Sequence, residues 1–163
     1  MSLKELIKQY LQKTKLMQLA TSLNNQPWIC SVWFAADEDM DIYWLSSITR
    51  RHSKELLKNN KVAGAIALPQ TPSDPPRGLQ FQGVAELLKD KKDIDKAMSI
   101  YSGRIFKKED IIEFMNNKEK PHRFYKIKVN RFVLFDAVNF PENSRQELNL
   151  SHVLNDEQVL DST

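Results

Sequence analysis

The chemistry-bearing residues of this chain concentrate in one stretch, Trp44-Leu45-Ser46-Ser47-Ile48-Thr49-Arg50-Arg51-His52-Ser53-Lys54-Glu55-Leu56-Leu57. An apolar strand leads into a hydroxyl pair, then a basic cluster, then the first turn of a helix. Each part suits a phosphate. Hydroxyls donate to its oxygens, arginine forks onto them, and free N–H groups at a helix start point toward an anion. The competing reading is a solvated basic helix start, with Ser46 and Ser47 ending a strand and capping a turn. Positive charge at a helix N-terminus opposes the macrodipole, and a bound anion relieves that conflict. The stretch therefore reads as an anion site.

The remaining reactive residues exclude more than they suggest. Cys30 is the single cysteine, so no intrachain disulfide forms and a reducing, cytoplasmic setting is expected. It reads as a packing residue, because no acid–base partner is near it in sequence. His52, His122 and His152 lack metal-ligand spacing, so no structural metal is expected, and His122 and His152 read as surface residues. The formal charge is +3, with residues 137–163 carrying −4 and the remainder +7. A basic body suits a phosphorylated ligand or nucleic acid. Nucleic acid is disfavoured, since no helix has a clean basic face and no aromatic RNA-binding motif is present. The longest apolar run, Val62 to Leu68, is far too short to span a membrane. The N-terminus lacks the apolar region of a signal peptide.

These residues must be positioned by a framework, and the chain spells one. Its 163 residues, 41% of them hydrophobic, suit a single domain with a real core. Ser2 and Glu5 have the form of a capping box, and Leu3, Leu6, Ile7, Tyr10 and Leu11 follow at helical spacing, so a helix is predicted over 2–14. Strands are predicted over 16–23, 28–36, 42–46, 61–68 and 78–88, with turns at Asn24–Pro27 and Asp37–Asp41 and a proline-dense loop at 69–76. Both faces of Trp28–Ala36 are apolar, so both need cover. A short helix is predicted over 50–59 with Thr49 as its N-cap, and further helices over 90–102 and 108–116. Two strands, 123–129 and 131–137, close the ordered part. The acidic tail beyond Pro141 is the least defined region, although Leu148, Leu150, Val153 and Leu154 offer docking residues. Many strands joined by short turns, with peripheral helices, predict a predominantly antiparallel barrel, whose closure removes exposed edges.

Taken in order, these pieces resemble the pyridoxamine 5′-phosphate oxidase-like, FMN-binding split-barrel superfamily, its small bacterial branch in particular. The pieces are the strand pair Trp28–Ala36 and Ile42–Ser46, then Leu45 to His52. Asn59-Asn60-Lys61-Val62-Ala63 follows, like the family's Asn-Pro-x-Val-Ala. Arg77-Gly78-Leu79-Gln80-Phe81-Gln82-Gly83 is like its strand ending in glycine, and Phe124 to Val129 is like its late strand. The likeness covers about residues 15–136. It implies one split-barrel domain over 1–163, flanked by the helix 1–14 and the acidic tail 137–163. It further implies that Ser46, Ser47 and Thr49 contact the FMN phosphate or ribityl chain, and that Arg51 and His52 grip the phosphate. The backbone of Ile29 to Phe34, with Trp33 and Phe34, lies along the flavin, and Gln80 reaches the ring edge. Family sites lie at a dimer interface, so a homodimer is expected.

Two departures qualify the likeness. His52 stands where the authentic oxidase has lysine, which makes phosphate binding pH-sensitive. The authentic oxidase also carries a C-terminal arginine-rich motif for its substrate phosphate, whereas this tail is acidic with only Arg145. That argues against pyridoxamine 5′-phosphate as substrate. The expectation is an FMN-dependent oxidoreductase that takes electrons from NADH or NADPH and acts on a small molecule the sequence does not name. Such chemistry needs no protein nucleophile, consistent with a chain that lacks a catalytic triad. The alternative is a non-catalytic protein that binds, stores or senses flavin or haem.

Overall fold

The computed structural model of the protein describes residues 1–150. His152, Val153 and Leu154, named above, lie outside the described residues. The elements run α1 (Leu3–Lys13), β1 (Leu16–Leu23), β2 (Gln26–Ala36), β3 (Ile42–Ser47), α2 (Arg51–Leu56), β4 (Lys61–Ala67), β5 (Arg77–Leu87), α3 (Lys91–Tyr101), α4 (Lys108–Asn116), β6 (His122–Asp136) and β7 (Arg145–Asn149).

All strand pairings are antiparallel, in the order β3-β2-β1-β4-β5-β6-β7, and β3 also pairs with β6. That last pairing closes six strands into a barrel. β6 makes closure possible by its length. Residues 122–127 pair with β3, residues 131–135 pair with β7, and β5 runs along the other edge. The expected antiparallel split barrel is the observed fold.

Local chemistry accounts for the elements. Ser2 Oγ accepts from the Glu5 N–H and Glu5 Oε2 accepts from the Ser2 N–H, so the capping box starts α1. Asn24 and Asn25 both adopt positive φ between Leu23 and its partner Gln26. That is the two-residue turn whose twist suits a hairpin, and it lets β2 begin at Gln26 rather than Trp28. The barrel interior holds Met17, Leu19, Phe34, Ile42, Trp44, Ile66, Leu79, Tyr125, Ile127 and Phe132, and α1 adds Leu6, Ile7, Tyr10 and Leu11. Trp44 stacks on Tyr125 at 5.2 Å between ring centroids. A second core lies outside the barrel wall, where Tyr43, Leu45 and Phe124 meet Ala97, Tyr101 and Ile111 from α3 and α4. β3 is thus buried on both faces.

Four expectations need correction. α2 spans six residues, and its N-cap is Arg50 without a side-chain cap bond. Thr49 instead donates its N–H to Ser47 Oγ and pairs its hydroxyl with the same atom. The two late strands are one, β6, with a bulge that leaves Asn130 between the partners of Gln82 and Gly83. The tail contains β7, which pairs with β6 and places Leu150 against the core. Among the described residues no helix is long and apolar enough to cross a membrane.

Candidate functional site

A cavity of about 580 Å³ opens where the β3–α2 junction faces β2 and the α4–β6 region, within the usual range for small-molecule sites. Its lining brings together Ser46, Ser47, Arg50, Arg51 and His52 with Trp28, Cys30 and Trp33 of β2 and with Phe106, Phe114 and His122.

The cationic wall is built by the turn that carries β3 into α2. Arg50 N–H donates to the Ser47 carbonyl, Ile48 N–H to the Pro121 carbonyl, and Ser53 Oγ to the Ser47 carbonyl. These bonds fix the hydroxyl pair relative to the helix start. Ser46 Oγ lies 2.9 Å from His52 Nε2. His52 is buried. Burial, reinforced by the nearby Arg50 charge, lowers its pKa from the ordinary histidine value.

Adjacent arginines have different surroundings. Arg51 Nε donates to Glu55 Oε1 at 2.6 Å, and its guanidinium lies 4.2 Å above the Trp28 ring. Glu55 is buried and also accepts from Thr21 Oγ1 at 2.6 Å. The Thr21 and Arg51 hydrogen bonds hold its carboxyl below the ordinary range. Arg50 is exposed and lines the cavity, and its guanidinium makes no hydrogen bond or ion pair among the described residues. The turn therefore offers one uncommitted guanidinium beside two hydroxyls and an imidazole, a donor set that fits a phosphate.

The adjoining wall is aromatic. Phe106 and Phe114 meet edge to face at 5.5 Å, and Phe114 lies 5.3 Å from the His122 ring. His122 pairs with Ser47 across the β3–β6 ladder, which places the two walls side by side. Its Nδ1 donates to the Lys120 carbonyl at 3.2 Å. A carbonyl only accepts, so in the neutral ring Nε2 is left as an acceptor. Tyr101 donates to the Trp33 carbonyl, tying this wall to β2. Burial pushes the Cys30 thiol up to about 11, so Cys30 remains a thiol at neutral pH.

Five of the eight residues singled out in sequence line this cavity: Ser46, Ser47, Arg51, His52 and Trp33. Thr49 is not in the lining and is engaged with Ser47. The Phe34 side chain is fully buried in the barrel, and its N–H donates to the Lys15 carbonyl. Gln80 lies in a separate trough on the outer sheet face, with Gln18, Ala20, Ile29, Gly64 and Gln82. Sequence reasoning missed Arg50 as the uncommitted cation, and it read His122 as a surface residue and Cys30 as packing. Both line the cavity. The pairing of His122 with Ser47 is long-range, and no local pattern announces it.

A family model described as pyridoxamine 5′-phosphate oxidase matches residues 3–135. A curated UPF0306 protein of Pasteurella multocida is 31% identical over 75 residues, covering 45% of this chain and half of that protein. The structure of a haem-binding protein from Mycobacterium smegmatis superposes with a TM-score of 0.73 at 17% identity, covering 91% of this chain and 58% of that one. An FAD-binding protein from Mesorhizobium loti gives 0.60 at 19% identity, covering 81% of this chain and 90% of that one. At such identities the structural likeness establishes the shared fold and nothing finer.

Proposed function

The chain belongs to the pyridoxamine 5′-phosphate oxidase family, and from that premise we propose that its cavity binds FMN and that the protein is a flavin-dependent oxidoreductase using NADH or NADPH. The observation that carries the reading is Arg50, an uncommitted guanidinium beside Ser46, Ser47 and His52 in one cavity. Arg50 takes the phosphate charge, and the Ser47 hydroxyl donates to its oxygens. In the Ser46–His52 pair, either group donates to the phosphate while the other supports it. Arg51, held by Glu55 and seated on Trp28, keeps that indole in place as cover for a flat ring. FMN supplies hydride transfer when bound. The protein's part is to anchor it, exclude water from one ring face and leave the other open.

Completion of the site by a second copy belongs to the same proposal. Ile29 and Trp33 of β2 are exposed beside the trough that contains Gln80, and a homodimer covering this face brings Gln80 toward the partner's cavity. Cytoplasmic placement accords with the single cysteine.

A second reading is a protein that binds or stores flavin or haem without turnover. His122 favours it, because an imidazole whose Nδ1 is held by a carbonyl leaves Nε2 on an aromatic wall, an arrangement that suits a haem iron. The haem-binding protein of the same fold makes this a fair competitor.

Titration of the purified protein with FMN, riboflavin and haemin decides between them. The oxidoreductase reading expects quenching of FMN fluorescence, an affinity about tenfold or more above that for riboflavin, and anaerobic bleaching by NADH or NADPH. A Soret shift with haemin and no FMN quenching establishes the second reading in its place. FMN binding without bleaching by either nucleotide leaves a binding protein.

A further inference from the structure

The charge available in this cavity is enough for a single phosphate. Four basic side chains line it: Arg50, Arg51, His52 and His122. Arg51 is ion-paired with Glu55. His52 is buried with its Nε2 at the Ser46 hydroxyl. His122 gives its Nδ1 proton to the Lys120 carbonyl. Arg50 remains. Two further arginines near the aromatic wall are engaged elsewhere. Arg104 Nη2 donates to the carbonyls of Leu11, Gln12 and Thr14, and Arg123 Nη1 to those of Met115 and His122. A buried phosphate without a matching cation or donors is costly, so a second phosphate has no place on this wall.

We propose that the aromatic wall of Phe106, Phe114 and His122 takes the small substrate of the flavin, as distinct from its nicotinamide donor, and that this substrate is a flat ring without a phosphate. The proposal rests on the FMN reading above, because it assigns Arg50 to the cofactor. The two phenylalanine rings supply apolar surface and an edge for stacking. His122 Nε2 supplies one acceptor, which selects a ring bearing an O–H or N–H donor. The family's namesake substrate differs on the one group this wall does not hold.

Pyridoxal and pyridoxal 5′-phosphate, which differ by that group, make the test. The FMN-loaded protein is titrated with each, and perturbation of the flavin absorbance reports binding. The expected result is that pyridoxal binds and that the phosphate improves affinity by no more than about twofold. Phe114→Leu, which keeps apolar volume and removes the ring, weakens pyridoxal about tenfold. His122→Asn weakens it too, and neither variant alters FMN quenching by more than about twofold. A phosphate advantage of about tenfold or more overturns the proposal. So does FMN-loaded protein that shows no perturbation by pyridoxal, or a Phe114→Leu variant with unchanged affinity. Failure of the wild-type protein to quench FMN removes the cofactor reading and this proposal with it. FMN binding together with a phosphate advantage overturns this proposal alone.

Discussion

Arg50 and Arg51 are neighbours in the chain, yet their replacement has different expected outcomes. Arg50→Ala removes the uncommitted guanidinium and is expected to lower FMN affinity about 10- to 100-fold, the worth of a charged hydrogen bond, with riboflavin affinity unchanged. Arg51→Ala deprives the buried Glu55 carboxylate of a donor. Its first readout is stability, a loss of about 1–2 kcal/mol by denaturant titration, at the low end because Arg51 is itself half-exposed. Equal loss of FMN affinity in the two variants with no stability difference would show that Arg51 holds the phosphate as much as Arg50 does. His52 adds a pH dependence. Its folded pKa is depressed by burial and then by Arg50, so the unfolded chain binds the proton more readily. Stability is full above the unfolded value, about 6.5, and falls as the pH drops from there toward the folded value. His52→Gln should flatten that limb of a melting-temperature profile, and an unaltered limb assigns it to another group. The motif from Ser46 to His52 was legible in the sequence because it is contiguous. Which arginine is uncommitted was not, since that depends on Trp28, Thr21 and Glu55, brought together by β1, β2 and α2.

At the scale of elements, Gly83 explains why the β5 motif ends in glycine. A Cβ there would lie 2.3 Å from the Lys128 carbonyl oxygen and 2.9 Å from Val129 Cα, where the bulge at Asn130 brings β6 close. The obstacle is backbone, which does not rotate away. Gly83→Ala should therefore cost about 1–3 kcal/mol, read as a lowered midpoint in urea. An unchanged midpoint would mean that the bulge relaxes freely. The same bulge shows where sequence reading stops. Tyr125, Ile127 and Val129 point inward at odd positions, then Phe132 and Leu134 at even ones. A one-residue phase slip is written identically by a turn and by a bulge, so β6 reads as two strands until its pairing with β5 is seen. β7 escaped for another reason. Arg145-Gln146-Glu147 is polar, as an edge strand tends to be, and its signal lies in pairing, with Glu147 joining Arg131 and Arg145.

For the whole molecule, the outer face of β2 is the feature that a single chain does not satisfy. Ile29 and Trp33 are 61% and 49% exposed on this face, in the part of β2 that pairs with β1 and not with β3, while Trp28, on the other face, is 42% exposed. Beside Ile29, residues Ala20, Ala63, Gly64 and Ala65 form a shallow floor, which permits close approach by another backbone. Exposed apolar side chains over a floor of small residues, with Gln18, Gln80, Gln82 and Arg131 beside them, mark an interface, and a two-fold dimer meets it with the same patch on both copies. The apolar character of both β2 faces was legible in the sequence. The separation of Gln80 from the cavity within one chain was not, because it follows from sheet order. The dimer proposal joins these observations. Scattering should give twice the mass of the chain. Ile29→Glu, at a residue outside the cavity lining, should yield a monomer and weaken FMN binding by about tenfold or more, because the partner's Gln80 and the cover over β2 are lost together. Full FMN affinity in a monomeric Ile29→Glu protein would place the complete site within one chain, and Gln80 would then have no part in it.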